Sequence, residues 1–260
     1  MNDRSETMHR VTLQGVEVPY ARMGSGQPMV LLHGGGGPVT RFPFVDELAR
    51  RFEIIAPIHP GFAGTPIPEH FDDMQDLVYL HLDLLDALDL HDVVLVGFSM
   101  GGWAAAEIAV MNCRRLSKLI LVDAVGIKPG GRESRDIADV FAVTLDEFKR
   151  LIWHDPAKAP DFAAMDEAQQ AIFAGDRVAL GLYTWQPYMH NPKLPRRLHR
   201  VTVPTLLIWG ESDRLVTPEY GAAFRDMIPG ATLVTIPEAG HAPYMEQPAR
   251  FVEHVLSFAG

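Results

Sequence analysis

Uninterrupted apolar blocks recur along the chain at Met29 to Leu32, Phe52 to Ala56, Val93 to Val96, Leu119 to Val122, Thr205 to Trp209 and Thr232 to Ile236. A strand covered on both faces needs no polar alternation, so each block predicts a buried strand of a parallel sheet. Helices are predicted between them, over Val45 to Arg51, Met74 to Leu88, Trp103 to Met111, Pro218 to Met227 and Pro248 to Phe258. In the second of these, Met74, Leu77, Leu84, Leu85 and Leu88 recur at helical spacing among Asp76, Asp83 and Asp86, which buries one stripe. The leading RVTLQGVEVPYARMG alternates around Gly15 and predicts an antiparallel hairpin at the start of the sheet. Alternation of strand and helix gives an α/β fold: a mostly parallel, twisted sheet with helices on both faces.

One interval breaks that rhythm. Between Asp123 and Pro204 lie 80 residues, far more than a single crossover helix needs. The chain is therefore expected to divide into a core of residues 1–123 and 204–260 and a helical cap insertion of residues 124–203. Helices are expected in the cap at Ile137 to Phe141, Leu145 to Trp153 and Asp166 to Phe173, followed by the aromatic run LYTWQPYMHNPKLPRRL. Ligands of such sheets bind outside the carboxyl ends of the strands, and both ends of the insertion emerge on that side.

Composition narrows the partners. The 260 residues carry 33 acidic against 23 basic side chains, a formal charge of -10 that repels a nucleic-acid backbone or an anionic membrane. A small-molecule substrate is expected, while association with copies of itself stays open. Cys113 is the single cysteine, which rules out an intramolecular disulfide framework and fits a reducing compartment. No apolar run has the length of a signal peptide or a membrane span, so cytoplasm is the expected location.

The chemistry centres on VVLVGFSMGGWAAAEIAV, which passes from a buried strand into alanine-rich helix around Ser99. Gly97 and Gly101 suit a chain reversing where strand and helix crowd together, and the turn would expose the serine hydroxyl at the sheet edge. By itself the G-x-S-x-G pattern is common, and a hydroxyl needs a neighbouring base to become a nucleophile. Among the eleven histidines, His241 alone follows a late strand through a glycine, in TLVTIPEAGHAPYMEQP. His81 and His254 fall within helices as core or solvated side chains. The base needs an orienting carboxylate. Asp213, in PTLLIWGESDRLVTP, is preferred over Asp123, which ends KLILVDAVG, because Gly210 to Arg214 form a loop able to reach sideways. Backbone amides for an oxyanion come from MVLLHGGGGPVT, with Gly35 as donor, and from Met100 at the helix start. The glycine run lacks G-x-x-x-x-G-K-[ST], and Pro38 interrupts any helix after it, so nucleotide binding is not expected. No metal or organic cofactor is required.

HGGGG, GFSMGG, WGESDRLV and AGHAPYMEQP follow one another in the order oxyanion loop, nucleophile, acid, base. With them the chain resembles the α/β-hydrolase superfamily over nearly its whole length. HPGFAGTP, at His59 to Pro66, is similar to a family turn that usually begins with aspartate, and here His59 stands in that place. The resemblance implies a catalytic triad of Ser99, Asp213 and His241 with Gly35 and Met100 as oxyanion donors. Dehalogenases and epoxide hydrolases of the superfamily usually carry aspartate at the elbow, against Ser99. Its carbon–carbon hydrolases typically carry Asn before the serine and Trp after the histidine, where this chain has Phe98 and Ala242. The expectation is a capped serine hydrolase of small carboxylic esters working through an acyl-enzyme. Carbon–carbon hydrolysis of ring-cleavage products is the alternative, with lactonase and perhydrolase behind it and a noncatalytic small-ligand receptor furthest back. Trp153, Tyr183, Trp185, Tyr188 and Met189 are expected to shape an apolar chamber or to pack between cap helices. Arg132, Arg135, Arg196, Arg197 and Arg200 are expected to face solvent.

Overall fold

The structure is a computed structural model, and it describes residues 7–131 and 133–260. Arg132, with its expected exposure, lies outside the described residues. Eight strands form one sheet: β1 (Thr7–Leu13), β2 (Val16–Gly24), β3 (Gln27–Leu32), β4 (Phe52–Pro57), β5 (Val93–Phe98), β6 (Leu116–Val122), β7 (Thr205–Gly210) and β8 (Thr232–Ile236). Their spatial order is β1-β2-β4-β3-β5-β6-β7-β8. The β1–β2 hairpin and the β2–β4 pair are antiparallel, and every later pairing is parallel.

The unbroken apolar runs now have a physical account. Along β5, Val93 and Leu95 enter one core while Val94, Val96 and Phe98 enter the other. The first core is closed by α2 (Met74–Ala87), α3 (Met100–Met111) and α6 (Pro218–Met227), through side chains such as Leu77, Ile108 and Phe224. The second is closed by α1 (Pro43–Ala49) and α8 (Pro248–Ala259), through Phe44, Leu48, Phe251 and Val255. A short α7 (Pro243–Glu246) precedes α8. β5 and β3 therefore lie in the middle of the sheet, where both faces are dry and the strand ends are held firmly.

Between β6 and β7 the chain forms α4 (Leu145–Ile152), α5 (Glu167–Thr184) and short 3₁₀ turns. Thr144 and Asp166 cap these helices with their side chains, each in a reciprocal capping box with Glu147 and Gln169. Three local expectations change. Ile137 to Phe141 is not helical, because Asp139 turns the chain by accepting from the Phe141 N–H while Tyr188 Oη binds the Ala138 carbonyl and the Val140 N–H. The helix expected to end at Phe173 continues to Thr184, since Gly175 and Gly181 are tolerated once Ala179 and Tyr183 are buried. The helix expected from Trp103 begins at Met100, immediately after Ser99.

Candidate active site

Ser99 occupies the single residue between β5 and α3, at φ 51 and ψ -115. A side chain at positive φ is strained, and the surrounding chain enforces it. The Ser99 N–H donates to the Val122 carbonyl, and the Ser99 carbonyl accepts from Gly102, Trp103 and Val125. The flanking glycines are required by contact: a Cβ on Gly97 would overlap the Gly101 carbonyl, and one on Gly101 would overlap the Leu32 carbonyl. The strained turn leaves Ser99 half-buried, with its hydroxyl at the carboxyl end of the sheet.

The hydroxyl lies 3.0 Å from His241 Nε2, and His241 Nδ1 lies 2.7 Å from Asp213 Oδ2. A carboxylate only accepts, so Nδ1 carries the proton and Nε2 is free to accept from Ser99. The other Asp213 oxygen, Oδ1, accepts from the Leu215 and Val216 N–H groups at 2.9 Å each. Loop amides thus fix the carboxylate plane, and the carboxylate fixes the imidazole. Asp123, the rival acid, makes no bond to His241. Its Oδ1 accepts from the Gly210 N–H, and its carboxyl shares a side-chain hydrogen bond with Asp213. Complete burial and the neighbouring Asp213 charge push its pKa well above the usual carboxylate range, so Asp123 is a neutral acid beside an ionised one.

The oxyanion candidates belong to two segments that adjoin Ser99. Met100 is the first residue of α3, where the N–H has no partner inside the helix. Gly34 packs on the elbow, a Cβ there standing 3.1 Å from Ser99 Cβ, and Gly35 follows it. Among the described residues neither the Gly35 nor the Met100 N–H donates to a carbonyl of the surrounding loops. Leu180 of α5 covers Gly35 from above, 2.9 Å from where a Cβ would be.

Further residues hold this arrangement and were not expected from the sequence. The His241 N–H donates to the Ile152 carbonyl at 2.6 Å, and Arg214 Nη1 donates to the Arg150 and Trp153 carbonyls. The Glu246 carboxylate accepts from the N–H groups of Gly240, His154 and Asp155. The end of α4 is therefore tied to both the acid loop and the base loop. The signal for Glu246 lay in AGHAPYMEQP, but two of its partners, His154 and Asp155, come from a segment some ninety positions away. Of the apolar cap candidates, Trp153, Tyr183 and Met189 are buried, whereas Trp185 is 56% exposed. Arg135, Arg196, Arg197 and Arg200 are exposed. Arg177 is half-buried, donating to the Val140 carbonyl and lying over the Phe141 and Phe148 rings.

Two described groups bring three metal-capable atoms within 4.8 Å: Asp123, Asp213 and His241, and Asp72, Asp73 and Asp76. In the first, the Asp213 and His241 atoms already bond each other. In the second, Asp73 caps α2 and Asp76 accepts from the Asp72 and Asp73 N–H groups. In the first set Asp213 and His241, and in the second Asp73 and Asp76, are already engaged in hydrogen bonds within the chain.

The sequence family described as the alpha/beta hydrolase family matches residues 29–254. The chain is 29% identical over 262 residues to 2-hydroxy-6-oxo-6-(2'-aminophenyl)hexa-2,4-dienoic acid hydrolase of Metapseudomonas resinovorans, covering 95% of this chain and 89% of that one. It is 26% identical over 236 residues to Lipase 3 of Moraxella sp. (strain TA144), covering 85% and 74%. Among solved structures, a serine hydrolase involved in carbazole degradation superposes with a TM-score of 0.77 at 26% identity, covering 98% of this chain and 99% of that one.

Proposed function

The chain belongs to the alpha/beta hydrolase family and is an enzyme of it, and from that premise we propose a serine hydrolase that cleaves small carboxylic esters through an acyl-enzyme on Ser99. The observation that carries this reading is the linear chain Ser99 Oγ, His241 Nε2, His241 Nδ1, Asp213 Oδ2, with spacings of 3.0 and 2.7 Å. Ser99 Oγ attacks the ester carbonyl carbon while its proton passes to Nε2. The carbonyl oxygen takes the negative charge, and the Gly35 and Met100 amides receive it. The tetrahedral adduct collapses as Nε2–H protonates the leaving alkoxide, giving an acyl-enzyme and an alcohol. Water then attacks the acyl carbon, giving its proton to the same nitrogen, and the acid leaves with Ser99 restored. Asp213 stays ionised and stabilises the imidazolium in both halves.

Residues 124–203 act in this reading as a cap that shapes the substrate side. Support comes from Leu180 over Gly35 and from the Ile152 carbonyl on the His241 N–H. The partner is a small molecule, and the net charge of -10 argues against nucleic acid or an anionic membrane. Among the described residues no helix is long and apolar enough to cross a membrane, and with the single cysteine this supports a cytoplasmic site of action.

A second reading, carbon–carbon hydrolysis of a 2-hydroxy-6-oxo-dienoate, is favoured by the named activity of the Metapseudomonas relative. Such a substrate carries a carboxylate that needs a cationic partner once desolvated. Arg135, Arg196, Arg197 and Arg200, the described cap arginines expected to face solvent, are exposed, which disfavours them as that partner. Comparing kcat/KM for a neutral aryl ester and a 2-hydroxy-6-oxo-dienoate on one preparation separates the two. The ester should win by at least about tenfold, and a clear preference for the dienoate would establish the second reading instead.

A further inference from the structure

Behind the glycine loop lie three buried histidines from three separate segments. His33 ends the strand-to-loop passage into Gly34, His59 opens the turn after β4, and His81 lies on α2. All three are at most 2% exposed. They are joined in series: His81 Nε2 is 2.9 Å from His59 Nδ1, His59 Nε2 is 2.9 Å from the His33 carbonyl, the His59 N–H donates to His33 Nε2 at 3.0 Å, and His33 Nδ1 is 2.8 Å from the Gly34 carbonyl. The rings of His33 and His59 lie with centroids 3.8 Å apart, tilted by 34°.

These bonds fix every ring proton. A carbonyl only accepts, so His33 is protonated at Nδ1 and His59 at Nε2. A backbone N–H only donates, which leaves His33 Nε2 bare. His59 Nδ1 is then bare, and His81 must donate to it from Nε2. The remaining nitrogen, His81 Nδ1, is bare and has no partner. Each imidazole is neutral, with its one donor and its inward acceptor spent on the next member. The chain ends on the carbonyls of His33 and Gly34, the two residues that lead into Gly35.

We propose that His59 and His81 are positioning residues for the reaction: with His33 they form a neutral imidazole chain that holds the His33 and Gly34 carbonyls, and through them sets the Gly35 amide against Ser99. The proposal rests on the reading of Gly35 as an oxyanion donor. Burial, together with repulsion from the neighbouring rings at His33 and His81, keeps all three neutral, His59 at about 4 and the other two well below the ordinary imidazole value; Arg41 adds to the depression at His33. A proton added to His33 Nε2 would face the His59 N–H, and one added to His59 Nδ1 would face the His81 N–H, so at these two rings neutrality and geometry depend on each other. At His81 Nδ1, which faces no donor, burial and the His59 ring disfavour the proton.

The role predicts a defect in the transition state with ground-state binding preserved. His81→Leu removes the donor to His59, whereas His81→Gln keeps an N–H near the same place. Active sites are first counted by fluorophosphonate titration. Per titrated serine, the leucine variant should lose about tenfold or more in kcat with KM within about twofold, and glutamine should recover most of that loss. A leucine variant with wild-type kcat per titrated serine, or equal losses in both variants, would overturn the proposal. A wild-type protein that neither labels nor hydrolyses esters would instead overturn the serine-hydrolase reading. Should the leucine variant not fold, the wild type decides by nitrogen-15 spectra of its histidines. The expected pattern is a proton on His33 Nδ1 and on Nε2 of His59 and His81, with the His33 and His59 resonances moving when a trifluoromethyl ketone adds to Ser99. A different tautomer pattern, or resonances unmoved by the adduct, counts against it.

Discussion

At Ser99, His241 and Asp213 each role follows from what a neighbour can donate or accept, and that makes the residues separable by substitution. Ser99→Ala removes the nucleophile while leaving a small side chain at the strained turn. Ester turnover should fall by at least about a thousandfold with the thermal transition preserved, because the activity left after a triad knockout comes from binding and oxyanion contacts alone. Retention of a tenth of the rate would reject Ser99 as nucleophile. The two aspartates differ in charge state. Asp213→Asn offers His241 Nδ1 a mismatched partner and should cost about a thousandfold or more in kcat. Asp123 is already neutral, so an asparagine side chain in its place would keep an acceptor for the Gly210 N–H, and Asp123→Asn should change kcat by less than about threefold while leaving Tm unchanged or higher. Reversed effects in steady-state kinetics would exchange the two assignments. The hydrogen-bonded row of Ser99, His241 and Asp213 was legible because each member sits where a strand ends and a glycine-bearing loop begins. The imidazole chain was not: His33, His59 and His81 carry no shared local pattern, and their contact exists only after β3, β4 and α2 have packed.

The strand–turn–helix unit of β5 and α3 depends on glycine by direct overlap. Gly101→Ala would drive a methyl group into the Leu32 carbonyl, and a rigid sheet cannot yield there. A loss of about 3 kcal/mol in denaturant unfolding, with ester turnover falling as the elbow shifts, is the expected result; an unchanged midpoint would mean the crowding is relieved elsewhere. The α4 end and the base loop form a second unit through Glu246. Glu246→Ala strands the N–H groups of Gly240, His154 and Asp155, and should cost about 2 kcal/mol and at least several-fold in kcat. A variant with wild-type Tm and kcat would show the tie to be dispensable. Continuous apolar runs made the core strands legible with boundaries correct to a few residues, whereas the long segment between β6 and β7 was read less well. There α5 runs past Gly175 and Gly181 because packing of Ala179 against the His59–Pro66 turn and of Tyr183 on the Pro60 carbonyl outweighs their helix cost. The local pattern contains neither contact.

For the molecule as a whole, the buried histidines set an acid limit. Unfolding returns His33, His59 and His81 to ordinary values near 6.5, whereas in the folded chain His59 sits at about 4 and the others well below 6.5. The unfolded chain therefore binds more protons in this range, and stability, full above about pH 6.5, is lost as pH falls toward 4. His59 alone accounts for about 3 kcal/mol of that loss. Asp123 has the opposite sign, since the folded chain retains a proton that the unfolded chain releases above pH 3.8. Three histidines oppose this one carboxyl, so scanning calorimetry should find Tm clearly lower at pH 5 than at pH 7, and a flat profile would contradict the neutral chain. Covalent chemistry at one serine is decided by mixing the enzyme with an activated aryl ester, quenching in acid within milliseconds and mapping the modified peptide by mass spectrometry. One acyl group per chain is expected, on Ser99, released with first-order kinetics as the acid product appears. An acyl group on another residue, or ester turnover with no covalent adduct at any quench time, would contradict it.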